Sequence, residues 1–221
     1  MSQAFSPQQE ANFAQLRAEM AKQQLCPRGI HDRAVLAAMR RVPRHQFVPG
    51  LSQHLAYEDN AIPLSAGQTI SQPYIVALMT QLAHVDEKSR VLDLGAGSGY
   101  QSAVLAEIGA EVYAMEILRE LADSAAERLR TLGYRNVHLK QGDGYAGWPS
   151  AAPFDAILIA AASPQVPPPL LDQLAIGGRL VMPLGDAPQI LQCIRKVGSD
   201  QFEHEKIAPV QFVPMTGRVR R

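Results

Sequence analysis

Val91-Leu92-Asp93-Leu94-Gly95-Ala96-Gly97-Ser98-Gly99-Tyr100 is the stretch on which the reading of this chain turns. A short strand, Val91 to Leu94, runs into glycines at every second position, and a helix is expected from about Tyr100 to Ile108. Glycine lets the backbone turn tightly and approach a ligand closely, while the first turn of the next helix presents unpaired N–H groups. A dinucleotide site wants Gly-x-Gly-x-x-Gly, with pyrophosphate at that helix terminus. Here Tyr100 stands in the place of the third glycine, which disfavours a nicotinamide cofactor.

Downstream, strand and helix patterns alternate. Glu111 to Met115 reads as a second strand, Leu118 to Leu132 as an amphipathic helix, and Val137 to Lys140 as a third strand. Phe154 to Ala160 is a continuous apolar run, as expected of a parallel strand covered on both faces. A short helix follows Pro167; Gly177-Gly178 is read as its end and as the start of the strand Arg179 to Met182. Ile190 to about Val213 reads as further strands. The pattern predicts an α/β fold: a doubly wound, mostly parallel sheet of seven strands with an antiparallel edge. Two acids fall where such sheets bind ligands, beyond the carboxyl ends of the strands. Glu116, followed by Ile117, ends the second strand, where a carboxylate can accept both hydroxyls of a ribose. Asp143, between Gly142 and Gly144, ends the third, where it can face an adenine edge. Together with Gly95, Ala96, Gly97 and Gly99 they call for a nucleoside cofactor.

Upstream, Gln8 to Gln24 and Asp32 to Arg41 read as helices separated by Pro27-Arg28-Gly29, the second with Val35, Leu36 and Met39 on one face. A loop-rich stretch with Pro43 and Pro49 leads to Gly67-Gln68-Thr69-Ile70-Ser71-Gln72-Pro73. Ser71 there is read as an N-cap and Pro73 as the first turn of a helix to about Ala83, with Ile75, Leu78, Met79 and Leu82 as its buried stripe. Thr69 and Ser71 put two hydroxyls at a helix N-terminus, a setting that favours a carboxylate. Residues 1–70 are thus a helical and loop extension, and 71–221 the cofactor-binding sheet, of one domain.

The chain has 221 residues, 47% of them hydrophobic, and a formal net charge of zero. A broad basic face for nucleic acid is not expected. Arg218-Val219-Arg220-Arg221 reads as a solvated terminus. Cys26 and Cys193 are far apart and show no metal spacing, the six histidines show no triad or ligand spacing, and no run approaches the roughly 20 apolar residues of a membrane span. No secretory signal is visible, so a soluble cytoplasmic protein is expected.

The two loops together resemble those of protein-L-isoaspartate O-methyltransferases. The likeness runs from about residue 15 to 217. It includes Arg28-Gly29-Ile30, Val42-Pro43-Arg44, Phe47-Val48-Pro49, Ala56-Tyr57-Glu58-Asp59, Gly67 to Tyr74, Gly142-Asp143-Gly144, Ala152-Pro153-Phe154-Asp155-Ala156, Gly177-Gly178-Arg179-Leu180 and Phe212-Val213-Pro214-Met215-Thr216. The resemblance implies a Rossmann-like methyltransferase fold using S-adenosyl-L-methionine. Its acceptors would be damaged proteins and peptides containing isoaspartyl residues, with neither nucleic acid nor a membrane as partner; a monomer is the default. It implies Ser71 as the catalytic serine and cofactor contacts from Gln68, Thr69, Ile70, Ser71, the glycine loop, Glu116, Ile117, Asp143, Gly144 and Thr216. Two departures stand out: Ser163 in Ala161-Ala162-Ser163-Pro164, where Ala-Ala-Pro is usual, and Ser65-Ala66, where a glycine often stands. The alternatives are a methyltransferase of the same fold acting on a small molecule or nucleic acid, a nicotinamide-dependent oxidoreductase, and a binding module without activity. The sequence lacks the Asn-Pro-Pro-Tyr type of element found in enzymes that methylate nucleic-acid amino groups.

Overall fold

A computed structural model describes residues 5–218. Three residues of the basic tail, 219–221, lie outside the described residues. In chain order the α-helices are α1 (Pro7–Met20), α2 (Arg33–Arg41), α3 (Pro73–Ala83), α4 (Tyr100–Ile108), α5 (Arg119–Thr131) and α6 (Pro168–Asp172). The strands are β1 (Ile62–Pro63), β2 (Thr69–Ile70), β3 (Arg90–Leu94), β4 (Glu111–Glu116), β5 (Val137–Gln141), β6 (Phe154–Ile159), β7 (Leu174–Leu184), β8 (Gln189–Gly198) and β9 (Gln201–Val210). β1 and β2 form a separate antiparallel pair.

The other strands make a seven-stranded sheet in the order β5-β4-β3-β6-β7-β8-β9. Strands β5 to β7 along that order pair in parallel, while β7–β8 and β8–β9 are antiparallel. The doubly wound sheet with an antiparallel edge is therefore as the sequence predicts. The order reverses between β3 and β6, which sets a crevice at their carboxyl ends.

Side chains alternate along the strands and build two apolar clusters. Val91, Val112, Leu158, Val181 and Cys193 point to one face, where Met20, Leu25, Met39 and Met79 of the N-terminal segment and α3 join them. Leu92, Leu94, Ile157, Ile159, Leu180 and Met182 point to the other, toward Leu170 of α6. The N-terminal segment thus shares its core with the sheet.

Several local expectations are corrected. The first helix is α-helical only to Met20; a π-helical turn (Ala21–Leu25) and a 3-10 turn (Cys26–Arg28) follow, and Gly29 ends the run with φ 87°. Burial in α3 is not a single stripe: Val76, Ala77, Leu78, Met79, Thr80 and Ala83 are buried around most of the helix, with Ile75 and Leu82 only half-buried. The helix is covered by the sheet and by the N-terminal helices, so small residues face the tight contacts. Gly177-Gly178 does not begin a strand. β7 runs through it, with a register shift against β6 between Phe154 and Ala156. Gly177 sits at φ 86°, and a Cβ at Gly178 would stand 2.8 Å from the Ala175 carbonyl oxygen, so the pair is an in-strand irregularity that only glycine fits. Among the described residues no helix is long and apolar enough to cross a membrane.

Candidate active site

A cavity of about 310 Å³ opens beyond the carboxyl ends of β3, β4, β5 and β6. Its floor is the loop after β3. The N–H groups of Gly95 and Ala96 both donate to the Met115 carbonyl, at 2.9 and 3.0 Å, tying that loop to the end of β4. Gly95, Ala96 and Gly97 line the cavity. Gly99 does not; it is the left-handed N-cap of α4 at φ 87°, and a Cβ there would come within 3.2 Å of Leu129 on α5. Its glycine is required by the turn and by helix packing.

Glu116 is 5% exposed and faces the same space. Its Oε2 accepts the Gly97 N–H at 2.8 Å and its Oε1 accepts the Leu118 N–H at 2.9 Å. Each oxygen keeps a second acceptor site, so the carboxylate is fixed in orientation yet able to take two further donors. Ile117 and Gly144 complete this wall. A Cβ at Gly144 would approach Leu94 to 3.2 Å, which accounts for glycine where the loop passes over β3.

Asp143 is placed differently from the expectation and does not line the cavity. Its Oδ1 accepts the Tyr145 N–H and its Oδ2 the Arg218 N–H, both at 2.9 Å. The aspartate caps its own turn and holds the returning C-terminal segment. That segment is also clamped by Met215 N–H to Ala162 O at 2.7 Å, and by Ala162 N–H to Val213 O at 2.8 Å. Val213, Pro214, Met215 and Thr216 are thereby laid along the cavity rim.

Opposite the glycine loop lie Gln68, Thr69, Ile70 and Ser71. Thr69 and Ile70 are strand β2, so pairing with β1 fixes this segment. Ser71 is not the N-cap of α3. Gln72 holds that position, with extended backbone and no side-chain cap. Proline at the first helical position keeps the residue before it extended, which moves the helix start one residue on and leaves Ser71 outside the cap. The carbonyl of Ser71 accepts a 2.8 Å hydrogen bond from Arg44 Nη2.

Two buried charged groups support the walls. Asp93 is wholly buried; Ser102 Oγ on α4 donates to its Oδ2 at 2.5 Å, while Oδ1 has no partner. Burial pushes this carboxyl up to about 6 against the Ser102 bond, and the nearby Glu116 charge adds to the rise. In the sequence, Asp93 is the one charged residue of the apolar strand Val91 to Leu94 that leads into the glycines, a signal of a special role. Arg44 is wholly buried, and desolvation lowers its guanidinium to about 10.

The family model for protein-L-isoaspartate (D-aspartate) O-methyltransferase matches residues 16–220. The chain belongs to this family. A protein-L-isoaspartate O-methyltransferase of a Picosynechococcus species is 54% identical over 202 residues, covering 91% of this chain and 90% of that protein. One from Opitutus terrae is likewise 54% identical, covering 90% and 86%. In three dimensions, a Plasmodium falciparum β-aspartate methyltransferase crystallised with S-adenosyl-L-homocysteine superposes with a TM-score of 0.79. It is 26% identical and covers 90% of this chain and 98% of that one.

The departures from the family pattern now have structural readings. Ser163 is buried outside the cavity, where its Oγ donates to the Gln165 carbonyl at 2.6 Å and its own carbonyl accepts the Gly185 N–H at 2.9 Å. Ala66 lines the cavity with φ 53°, the left-handed region that favours the glycine often found there. The cavity also draws on α3 and α4 through Val76, Met79 and Gln101, and on Ala160 and Ala161 after β6. Sequence reading placed Met79 in a buried stripe and gave Val76 and Gln101 no role, so it missed these contributions.

Proposed function

We infer that the protein transfers a methyl group from S-adenosyl-L-methionine to the free α-carboxyl of L-isoaspartyl residues in damaged proteins and peptides. The ester formed then closes to a succinimide without further help, which begins repair. The observation that carries this reading is that one cavity joins the glycine loop and Glu116 to the Gln68–Ser71 segment.

The cofactor wall suits a nucleoside: a buried carboxylate for ribose hydroxyls beside a backbone loop, with Met115, Ile117 and Leu118 as apolar neighbours. When bound, S-adenosyl-L-methionine supplies an electrophilic methyl group. Gly95 to Gly97, Glu116, Ile117, Gly144 and Thr216 would hold it, with Gln68 to Ser71 closing the site from the acceptor side. Asp143 acts by fixing the turn that carries Gly144 and the segment that carries Thr216.

The acid–base inventory fits a carboxylate acceptor. Glu116 and Tyr100 are the ionisable side chains among the cavity-lining residues, and burial holds the Tyr100 phenol well above its usual range. The Glu116 oxygens are engaged by the Gly97 and Leu118 N–H groups, and a neutral phenol is no base, so neither is placed as a dedicated general base. An α-carboxyl, with a pKa of about 3.5, is already ionised and needs none. The work left to the chain is positioning, which can supply up to roughly 7 to 11 kcal/mol, and exclusion of water. Ser71 is the residue that would orient the acceptor. A neutral hydroxyl does so without quenching the nucleophile.

We take the enzyme to act as a cytoplasmic monomer on peptide acceptors, with neither nucleic acid nor a membrane as partner. Zero formal net charge and two free cysteines, Cys26 and Cys193, support that reading. The test is repair itself: an isoaspartyl peptide incubated with enzyme and cofactor should accumulate the normal aspartyl peptide. An isoaspartyl content that stays unchanged while cofactor binds would refute it.

A further inference from the structure

Arg44 lies in Val42-Pro43-Arg44, a motif that neither the cofactor wall nor the acceptor loop absorbs. Its side chain is completely buried at the start of a 3-10 turn (Arg44–Gln46). Nε donates to the Ala56 carbonyl and Nη2 to the Ser71 carbonyl, each at 2.8 Å, and the guanidinium lies 4.7 Å from the centre of the Tyr100 ring. Nη1 has no partner. Among the described residues no carboxylate is ion-paired with it, and the groups that act on its charge are the Tyr100 and Tyr57 hydroxyls.

A buried cation is costly unless paired. Neutral donors would bridge the two carbonyls at less cost, so tethering alone leaves the charge unexplained. Two of the residues it touches, Ser71 and Tyr100, line the cavity. The positive charge therefore stands one peptide unit behind the acceptor loop.

We propose that Arg44 is a positioning residue whose uncompensated charge is matched by the acceptor's carboxylate, across the Ser71 peptide it also holds. The proposal rests on the reading that the Gln68–Ser71 loop receives the carboxylate. It assigns to Arg44 a preference for a charged over a neutral acceptor. The guanidinium stays out of direct contact, so the carboxylate oxygens remain free to attack. At an effective dielectric constant near 20, a unit charge within roughly 12 Å should favour the carboxylate by about tenfold or more.

The test uses enzyme saturated with S-adenosyl-L-homocysteine. Dissociation constants are measured for an isoaspartyl peptide and for the same peptide carrying the carboxamide at that position. The wild-type enzyme should prefer the carboxylate. In Arg44→Gln the preference should fall about tenfold with homocysteine-product affinity kept within about threefold, and in Arg44→Lys it should be retained. A purely structural role would weaken both peptides alike. A wild-type preference kept in Arg44→Gln would overturn the proposal. So would its loss in a folded Arg44→Lys variant, which decides the matter alone should Arg44→Gln not fold. Equal binding of both peptides by the wild type would sink the acceptor-loop reading and the role of Arg44 with it.

Discussion

Replacing Glu116 by glutamine separates what this residue does for the fold from what it does for the cofactor. The carboxylate accepts backbone N–H groups on both oxygens, from Gly97 at 2.8 Å and Leu118 at 2.9 Å. In Glu116→Gln one of these donors must face an NH2 group. That loss is present with and without ligand, so it lowers stability, by about 1–2 kcal/mol, rather than affinity. For a chain of this size it corresponds to a fall in Tm of roughly 2–8 °C. Affinity depends on the remaining acceptor sites, which turn to the cavity. Loss of charge-assisted bonds to ribose hydroxyls there should cost about 1.5–3 kcal/mol, or roughly 10- to 150-fold in Kd. Calorimetric titration with S-adenosyl-L-homocysteine is the assay, because that ligand lacks the sulfonium charge and isolates the ribose contribution. A folded variant that binds it within about threefold of the wild type would remove Glu116 from the cofactor site.

Other variants probe the rest of the site. Ser71→Ala should lower turnover of an isoaspartyl peptide by about tenfold or more while the Kd for S-adenosyl-L-homocysteine stays within about twofold; unchanged turnover would take the serine out of the mechanism. Asp93→Asn tests the buried carboxyl. Its pKa is raised from 3.8 to about 6, so its cost is absent well below pH 3.8, where folded and unfolded chains are both protonated, grows between the two values and is complete above pH 6. Wild-type stability relative to the variant should therefore fall by about 3 kcal/mol between roughly pH 3 and 7, measured by denaturant titration. Ala66→Gly should leave stability unchanged or raise it by up to about 1 kcal/mol, whereas Ala66→Val should lower it by about 1–2 kcal/mol, because φ is 53° there. Gly99→Ala combines a left-handed backbone with a 3.2 Å approach to Leu129 and should cost about 2 kcal/mol by the same measurement.

Elements bounded by strong local signals were legible in the sequence. α4 begins and ends where the glycines at 99 and 109 place it, and α3 starts at Pro73, which admits no other arrangement of the first turn. What failed depended on neighbours distant in the chain. The face of α3 cannot be told from size periodicity when the helix is covered on two sides. Gly177-Gly178 has the composition of a breaker, and pairing with β6 on either side of it keeps β7 continuous.

The site divides along the same line. Gly95, Ala96, Gly97, Glu116 and Gly144 follow from strand ends alone, because a parallel sheet brings its carboxyl ends to one place. Asp143 stands at the expected strand end, and the bond that its Oδ2 accepts from the Arg218 N–H depends on how the C-terminal segment returns. Arg44 stands among Arg40, Arg41, His45 and Gln46 and reads as a surface residue, and its burial and that of Asp93 emerge only when α2, α4 and the Gln68–Ser71 segment are assembled. Ser71 was singled out for its hydroxyl; the structure adds that its carbonyl anchors it to Arg44.

The most direct measurement is methyl transfer from labelled S-adenosyl-L-methionine to an isoaspartyl peptide, beside the same peptide with normal aspartate. The account predicts label on the isoaspartyl peptide alone, in a base-labile ester. Equal labelling of both peptides, or of neither by a folded enzyme that binds the cofactor, would contradict it.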